Sequence, residues 1–176
     1  SRRGNSRSRL TRISITRILY PTYEPTTCLI DNSLSTMAWT LPGAVGASLA
    51  HPGRPVLAVM GDGSFLMNVQ EIETAVRCGC RIVILVWVDN SYGLIKWKMD
   101  LHDGGHEFVD FGNPDVVQLA ASFGAKGHDV SSADELYPVL RSALRSGSGV
   151  DVIACPVDYR ENMRLIAKLG DVEFSS

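Results

Sequence analysis

Short apolar runs rich in β-branched residues recur along the chain at 56–60 (VLAVM), 82–88 (IVILVWV) and 150–155 (VDVIAC). Continuous runs of this kind suit strands buried on both faces of a parallel sheet. Amphipathic stretches lie between them. In 66–78, Leu66, Val69, Ile72 and Val76 recur at helical spacing, with Gln70, Glu71 and Arg77 elsewhere. A second helix is predicted over 115–123, with Asp115 near its start and Gly124 just past its end. A third spans 132–145, where Ser132 as N-cap and Glu135 three residues on form a capping-box pattern. Residues 37–50 (MAWTLPGAVGASLA) read as a helix rich in small residues, so a closely packed neighbour is expected. Pro42 falls near its start, where proline is tolerated. The stretch 101–114 (LHDGGHEFVDFGNP) lacks periodicity and is predicted to be a long loop, the kind that often serves as a lid. There is no internal repeat. The β-α-β alternation predicts an α/β fold: an open, mostly parallel, Rossmann-like sheet with helices on both faces.

The 176 residues suffice for one domain with a real core. A hydrophobic fraction of 45% and a charged fraction of 20% are ordinary for a globular protein. The net charge of −2 hides an asymmetry: Arg2, Arg3, Arg7, Arg9, Arg12 and Arg17 stand in the first 20 residues with no acid. Residues 1–19 are therefore read as a basic, poorly packed extension, and 20–176 as the domain. An Arg- and Ser-rich start is also what a transit peptide has, so a cytoplasmic location is expected with organellar import left open. No apolar run reaches the roughly 18 residues of a membrane span, and neither membrane nor nucleic acid is an expected partner. The cysteines, Cys28, Cys78, Cys80 and Cys155, sit in or beside apolar segments and read as buried free thiols. The Cys78–Cys80 spacing is poor for zinc.

The chemistry concentrates at two strand ends. Gly61–Asp62–Gly63 follows the first run and Asp89–Asn90 the second. Ligands of open parallel sheets bind at the carboxyl ends of strands, so both clusters should share one edge. The glycines allow close backbone approach, and a helix starting near Ser64 aims free N–H groups at an anion. An anion beside a carboxylate needs a cation between them, and oxygen ligands from protein, phosphate and water suit Mg²⁺. The two strand ends thus predict a metal–diphosphate site. A dinucleotide fingerprint fails because Leu66 stands where its third glycine belongs, and no P-loop pattern occurs. His102 and His106 are four apart, but Gly104–Gly105 between them argues against a helical metal pair. His51 and His128 read as surface residues. Lys96, Trp97 and Lys98 either cover the ligand or form a solvated helix face.

GDGS, then 25 residues from Ser64 to Val88, then an acid–amide pair and YG, is similar to the cofactor motif of thiamine-diphosphate enzymes. NSLSTMAWTLPGAVGASLA before it, and LIKWK, DFGNPDVVQLAASFGAKG and CPVDYRENMRL after it, resemble the acetolactate synthase branch. The resemblance covers roughly Tyr20 to Leu165. It implies thiamine diphosphate and Mg²⁺ as cofactors and the diphosphate-binding (PP) domain as the fold. Asp62 and Asp89 would be metal ligands, with the main-chain carbonyl of Ser91 the third. Gly61, Gly63 and Ser64 would hold the diphosphate. Met37 would prop the bent cofactor, and the carbonyl of Ser35 would accept from the 4′-amino group of the pyrimidine. Three departures stand out: Asp89 takes a position usually held by asparagine, Ala38 replaces a common glycine, and Ser33 replaces another. In a register one residue later, Asn90 and Tyr92 would take the roles of Asp89 and Ser91; anchoring on Tyr92–Gly93 favours Asp89.

The glutamate that activates the cofactor in this family belongs to a separate pyrimidine-binding domain, usually on a partner subunit, and no segment here matches it. The expectation is a fragment or one subunit of a split enzyme, in a homo- or hetero-oligomer, inactive without that domain. The reaction implied is decarboxylation of pyruvate and transfer of the hydroxyethyl unit to a second 2-oxo acid. The alternatives are another thiamine-diphosphate 2-oxo acid decarboxylase or lyase, and a non-catalytic fragment that binds cofactor or a partner.

Overall fold

In the computed structural model the described residues are 22–30, 34 and 36–159. The compact unit that carries the sheet is Thr36–Tyr159. Residues 22–30 and 34 fall outside that unit and contain turns, one closed by Thr27 Oγ1 donating to the Glu24 carbonyl (2.7 Å). The arginine-rich start and Ser35 lie outside the described residues.

Within Thr36–Tyr159 the order is α1 (Thr40–Ala50), β1 (Val56–Gly61), α2 (Asp62–Met67), α3 (Glu71–Arg77), β2 (Ile82–Val88), α4 (Gly93–His102), α5 (Val116–Ser122), β3 (Lys126–Asp129), α6 (Ala133–Arg145) and β4 (Val150–Pro156). The strands lie in the order β1-β2-β4-β3, all parallel. Side chains alternate across each strand, and this sorts them into two cores. Ile82, Ile84 and Val86 of β2 and Val150, Val152 and Ala154 of β4 face α1, α2, α3 and α5. Val83, Leu85 and Trp87, with Ile153 and Cys155, face α6. The predicted α/β architecture is what the chain adopts.

Several details depart from the sequence reading. The single helix expected over 66–78 is two, because Asn68 turns out of the helix: its Nδ2 donates to the Ala38 carbonyl (3.2 Å) and its Oδ1 accepts from Gln70 Nε2 (3.1 Å). β3 was not expected, since Lys-Gly-His-Asp has no apolar signature; as an edge strand beside β4 it does not need one. The capping box is shifted by one residue, with Glu135 Oε2 accepting from both N and Oγ of Ser131 (2.9 Å each). These bonds hold the Glu135 carboxyl below its ordinary range. Of the cysteines, Cys80 and Cys155 are buried and Cys28 is half-buried, but Cys78 is exposed because it is the residue that ends α3. Burial pushes the Cys155 thiol up.

His128 is not a free surface residue. Its Nε2 lies 2.7 Å from Oδ1 of Asp151, a carboxylate buried inside β4. A buried acid in a strand needs such a partner. The small residues of α1 do meet close neighbours, with Ala44 and Ser48 buried against the sheet side, but the glycines are not where the contact is tightest: a Cβ on Gly43 would stand 3.1 Å from the Trp39 ring, while one on Gly46 would meet nothing within 4 Å.

α5 and β3 approach closely at Gly127. A Cβ on Gly127 would stand 2.7 Å from both Val117 Cγ1 and the Val117 carbonyl oxygen. Gly127→Ala is therefore expected to destabilise the chain by about 1–3 kcal/mol through overpacking. Gly46→Ala, on an open helical surface, should instead stabilise it by roughly 0.5–1 kcal/mol. Urea midpoints of the two variants test both signs; a neutral Gly127→Ala would contradict the close approach.

Candidate functional site

β1 and β2 are paired in register, Gly61 opposite Trp87, so the residues that follow them emerge side by side. Asp62 begins α2 and is 0% exposed. Its carboxylate is surrounded by N–H donors. Oδ1 accepts from Gly63 N (2.8 Å). Oδ2 accepts from Asp89 N (3.1 Å), Asn90 N (2.7 Å) and Asn113 Nδ2 (2.8 Å). A carboxylate offers about four lone-pair sites, two to an oxygen. Oδ2 is therefore saturated, and the room for a further partner is on Oδ1.

The turn after β2 is shaped to make this contact. Asn90 has a φ of +54°, a left-handed conformation that asparagine tolerates. Asp89 Oδ2 accepts from Ser91 Oγ (3.2 Å). A strap from the long loop then lies across the turn. Ser91 and Asp110 form an antiparallel bridge, Tyr92 N donates to the Val109 carbonyl (2.8 Å), and Phe111 N donates to the Asn90 carbonyl (3.0 Å). The Tyr92 and Phe111 rings stack at a tilt, centroids 4.9 Å apart. Gly63 makes room for them: a Cβ there would stand 2.7 Å from Tyr92 Cε1 and 3.3 Å from Phe111 Cζ. Outside, Lys96 Nζ holds Asp110 Oδ1 (2.8 Å), and His106 lies between Asp100 (2.6 Å) and Asp110 (3.5 Å).

The structure brings Gly61, Asp62, Gly63 and Ser64 together with Asp89 and Ser91, on the edge where the sequence placed them. Ser64 Oγ accepts from Ala38 N (2.7 Å), which brings the Met37 segment to the start of α2. Met37 itself is 39% exposed and so is not core. The Gly63 N–H is engaged by Asp62 rather than left free for an anion. The sequence reading missed Asn113, which touches both Asp62 and Asn90 (2.8 Å each). Its only signal was its place in a long aperiodic loop. No cluster of three His, Cys, Asp or Glu able to hold a metal ion occurs among the described residues; of the two histidines singled out, His102 ends α4 and His106 lies in the loop after it.

The donor set fits a hard cation. Two carboxylates, Asp62 and Asp89, stand at adjacent strand ends joined by a backbone hydrogen bond, and the Asn113 Oδ1 beside them is buried without a hydrogen-bond partner among the described residues. Oxygen-only ligands of this kind select Mg²⁺ or Ca²⁺ over softer metals.

Comparison with known proteins gives this edge its context. The family described as thiamine pyrophosphate enzyme, C-terminal TPP binding domain, matches residues 11–155. An acetolactate synthase of Bacillus subtilis is 42% identical over 155 residues, 88% of this chain and 27% of the relative. The catabolic acetolactate synthase of Raoultella terrigena is 41% identical over 157 residues, 89% of this chain and 28% of the relative. Among solved structures, benzoylformate decarboxylase from Polynucleobacter necessarius matches with a TM-score of 0.65 and 33% identity, over 70% of this chain and 24% of that one. The chain belongs to the thiamine pyrophosphate enzymes, as their C-terminal cofactor-binding domain. The family's cofactors are thiamine diphosphate and Mg²⁺. The chain spans little more than a quarter of the length of these two curated relatives. No described helix is long and apolar enough to cross a membrane.

Two exposed carboxyls anchor the strap, and both are depressed. The Lys96 hydrogen bond and charge hold Asp110 below the ordinary aspartate value, with a smaller contribution from His106. Asp115, the N-cap of α5, is depressed by the Gln118 backbone N–H (2.9 Å) and side-chain amide (2.8 Å). A folded-state value below the unfolded one means that their stabilisation is whole above the ordinary range. It is lost as the pH falls through roughly 4 and below. Protection factors of the Tyr92 and Phe111 amides, whose N–H groups make the strap bonds, are therefore expected to fall selectively on acidification from pH 5 to 3, ahead of those of the β2 and β4 amides. A uniform fall across all of them would show that the strap has no acid-labile anchor of its own.

Proposed function

We propose that this chain holds thiamine diphosphate through Mg²⁺ as the PP domain of an acetolactate synthase-type 2-oxo acid carboligase. The observation that carries the reading is the buried Asp62 carboxylate locked to the backbone of Asp89 and Asn90, with room for one further partner on Oδ1. Asp62 and Asp89 would ligate the cation, and the Ser91 carbonyl would be the third protein ligand. The Asp89 register is preferred because Asn90 Oδ1 already accepts from Asn113, which holds that side chain against the strap. Ser64 would donate its hydroxyl proton to the diphosphate while still accepting from Ala38. Met37, exposed and tied to α2 through Ala38, would support the cofactor from the side.

When bound, thiamine diphosphate supplies the electron sink for decarboxylating one 2-oxo acid and joining its remaining unit to a second. The residues here bind, orient and neutralise the diphosphate. The stacked Tyr92 and Phe111, each half-buried, would cover the turn after β2 on the strap side. The pyrimidine end is assigned to a second domain or subunit. Trp39 and Ile95 (46%), exposed like Met37, are the apolar surface such a partner would cover. A 2-oxo acid decarboxylase is the second reading, favoured by the solved structure it matches.

Calorimetry of the full chain tests the reading. Thiamine diphosphate should bind with Mg²⁺ and not in excess chelator. Asp62→Asn should lose binding, while Asp89→Asn should be mild because an amide oxygen can still ligate. Binding of equal strength without metal would overturn the assignment. The isolated chain should make no acetolactate from pyruvate until a pyrimidine-domain protein is added. Aldehyde rather than acetolactate would then select the decarboxylase reading.

A further inference from the structure

Asn113 stands where nothing in the motif reading placed a functional group. It lies in the strap, 51 residues from Asp62 in sequence. Its Nδ2 spends one proton on Asp62 Oδ2 and the other on Asn90 Oδ1, both at 2.8 Å. Both partners are acceptors, so the amide orientation is fixed by chemistry: an oxygen turned that way would face two oxygens. That orientation commits Oδ1 to the other side, where it is buried and has no partner among the described residues. A buried amide oxygen without a donor is unfavourable, and such groups in folded proteins usually meet an ordered water or ion. This one belongs to a side chain hydrogen-bonded directly to a carboxylate whose second oxygen has room for one further partner.

Three consequences follow from the two bonds. Asn113 is one of three donors on Oδ2, so it directs the free electron pair of Asp62 to Oδ1. It engages one lone pair of Asn90 Oδ1 and holds that side chain against the strap, which favours Asp89 as the side-chain oxygen after β2. Its own Oδ1 is an acceptor for a water of the incoming ion, and Mg²⁺ and Mn²⁺ retain several waters when bound. We propose that Asn113 is a positioning residue of the cation site: it sets which oxygen of Asp62 meets the ion, holds Asn90 Oδ1 in a hydrogen bond that competes with ligation, and accepts a hydrogen bond from the hydrated cation. The inference rests on the proposed metal-dependent cofactor site.

The test is Mn²⁺ binding to the full chain with thiamine diphosphate, followed by electron paramagnetic resonance. Partners that orient metal ligands typically contribute 10–100-fold in affinity. Asn113→Ala is expected to weaken Mn²⁺ by about that factor and to alter the bound-ion spectrum. Asn113→Asp places a carboxylate against Asp62, so its melting temperature should fall without metal and recover strongly with it. Asp115→Ala, which loosens the same turn through the α5 cap without touching Asp62, should keep the parent's Mn²⁺ affinity and spectrum. If Asp115→Ala weakens Mn²⁺ as much as Asn113→Ala, the strap acts only structurally and the inference fails. It fails likewise if Asn113→Ala binds Mn²⁺ with the parent's affinity and spectrum. If the parent chain itself binds no Mn²⁺ with the cofactor, the site assignment falls and the inference with it.

Discussion

A carboxylate that is wholly out of water must be met by donors, and Asp62 is met by four N–H groups. Much of the local structure follows from that requirement. Two of the donors are successive backbone amides after β2, which can converge on one oxygen only if the chain turns sharply. The left-handed Asn90 is part of that turn. Converging amides of this kind form an anion-binding concavity, and here the anion is the protein's own side chain. The ends of β1 and β2 are thereby tied by side-chain-to-backbone bonds beyond the sheet ladder. Replacing Asp62 would leave several buried donors without partners, each at a cost of about 1–3 kcal/mol. Its effect on binding therefore has to be read alongside the fold.

The sheet makes this arrangement rigid. β2 and β4 are covered on both faces, with separate cores that share only the strands. A shift of β2 by one residue would exchange the two sets of side chains, so the register that sets Gly61 opposite Trp87 is strongly specified. The position of Asp89 relative to Asp62 is inherited from that register. Preorganisation of this kind is what a cation site needs, since carboxylates held apart from ion to ion need not be gathered at the moment of binding.

What was legible in the sequence was what depends on local pattern. The unbroken apolar runs of β1, β2 and β4 and the polar residues directly after two of them located the edge and most of its chemistry. Elements governed by distant partners were not legible. Nothing in the helical spacing of 66–78 reveals that Asn68 bonds Ala38, 30 residues away. β3 carries no hydrophobic signal because its neighbour supplies the pairing. Asp151 looked like part of an apolar run, and only the fold shows that His128 across the ladder neutralises its cost. Asn113 belongs with these cases. An asparagine before a proline in a long loop has many bland explanations, and its two bonds exist only because the strap returns across the β2 turn.

Ala38 shows how the same edge sets the geometry of a neighbouring segment. Its φ of +70° is in the left-handed region, where a Cβ costs about 1–2 kcal/mol. That preference gives a physical reason for the glycine common at this place in proteins the chain resembles. Alanine keeps the conformation here because both of its backbone groups are engaged, N–H by Ser64 Oγ and carbonyl by Asn68 Nδ2. Both partners lie in the stretch that follows Asp62, at α2 and just beyond it. The strain is thus held by the element whose first residue is the buried carboxylate. Met37, one residue earlier, is carried on this strained hinge with part of its side chain in the open. The Ser64 hydroxyl contact alone would leave such a residue free to turn. The paired bonds fix the backbone on both sides of Ala38, so the direction in which Met37 leaves the chain is coupled to α2 and, through α2, to the end of β1.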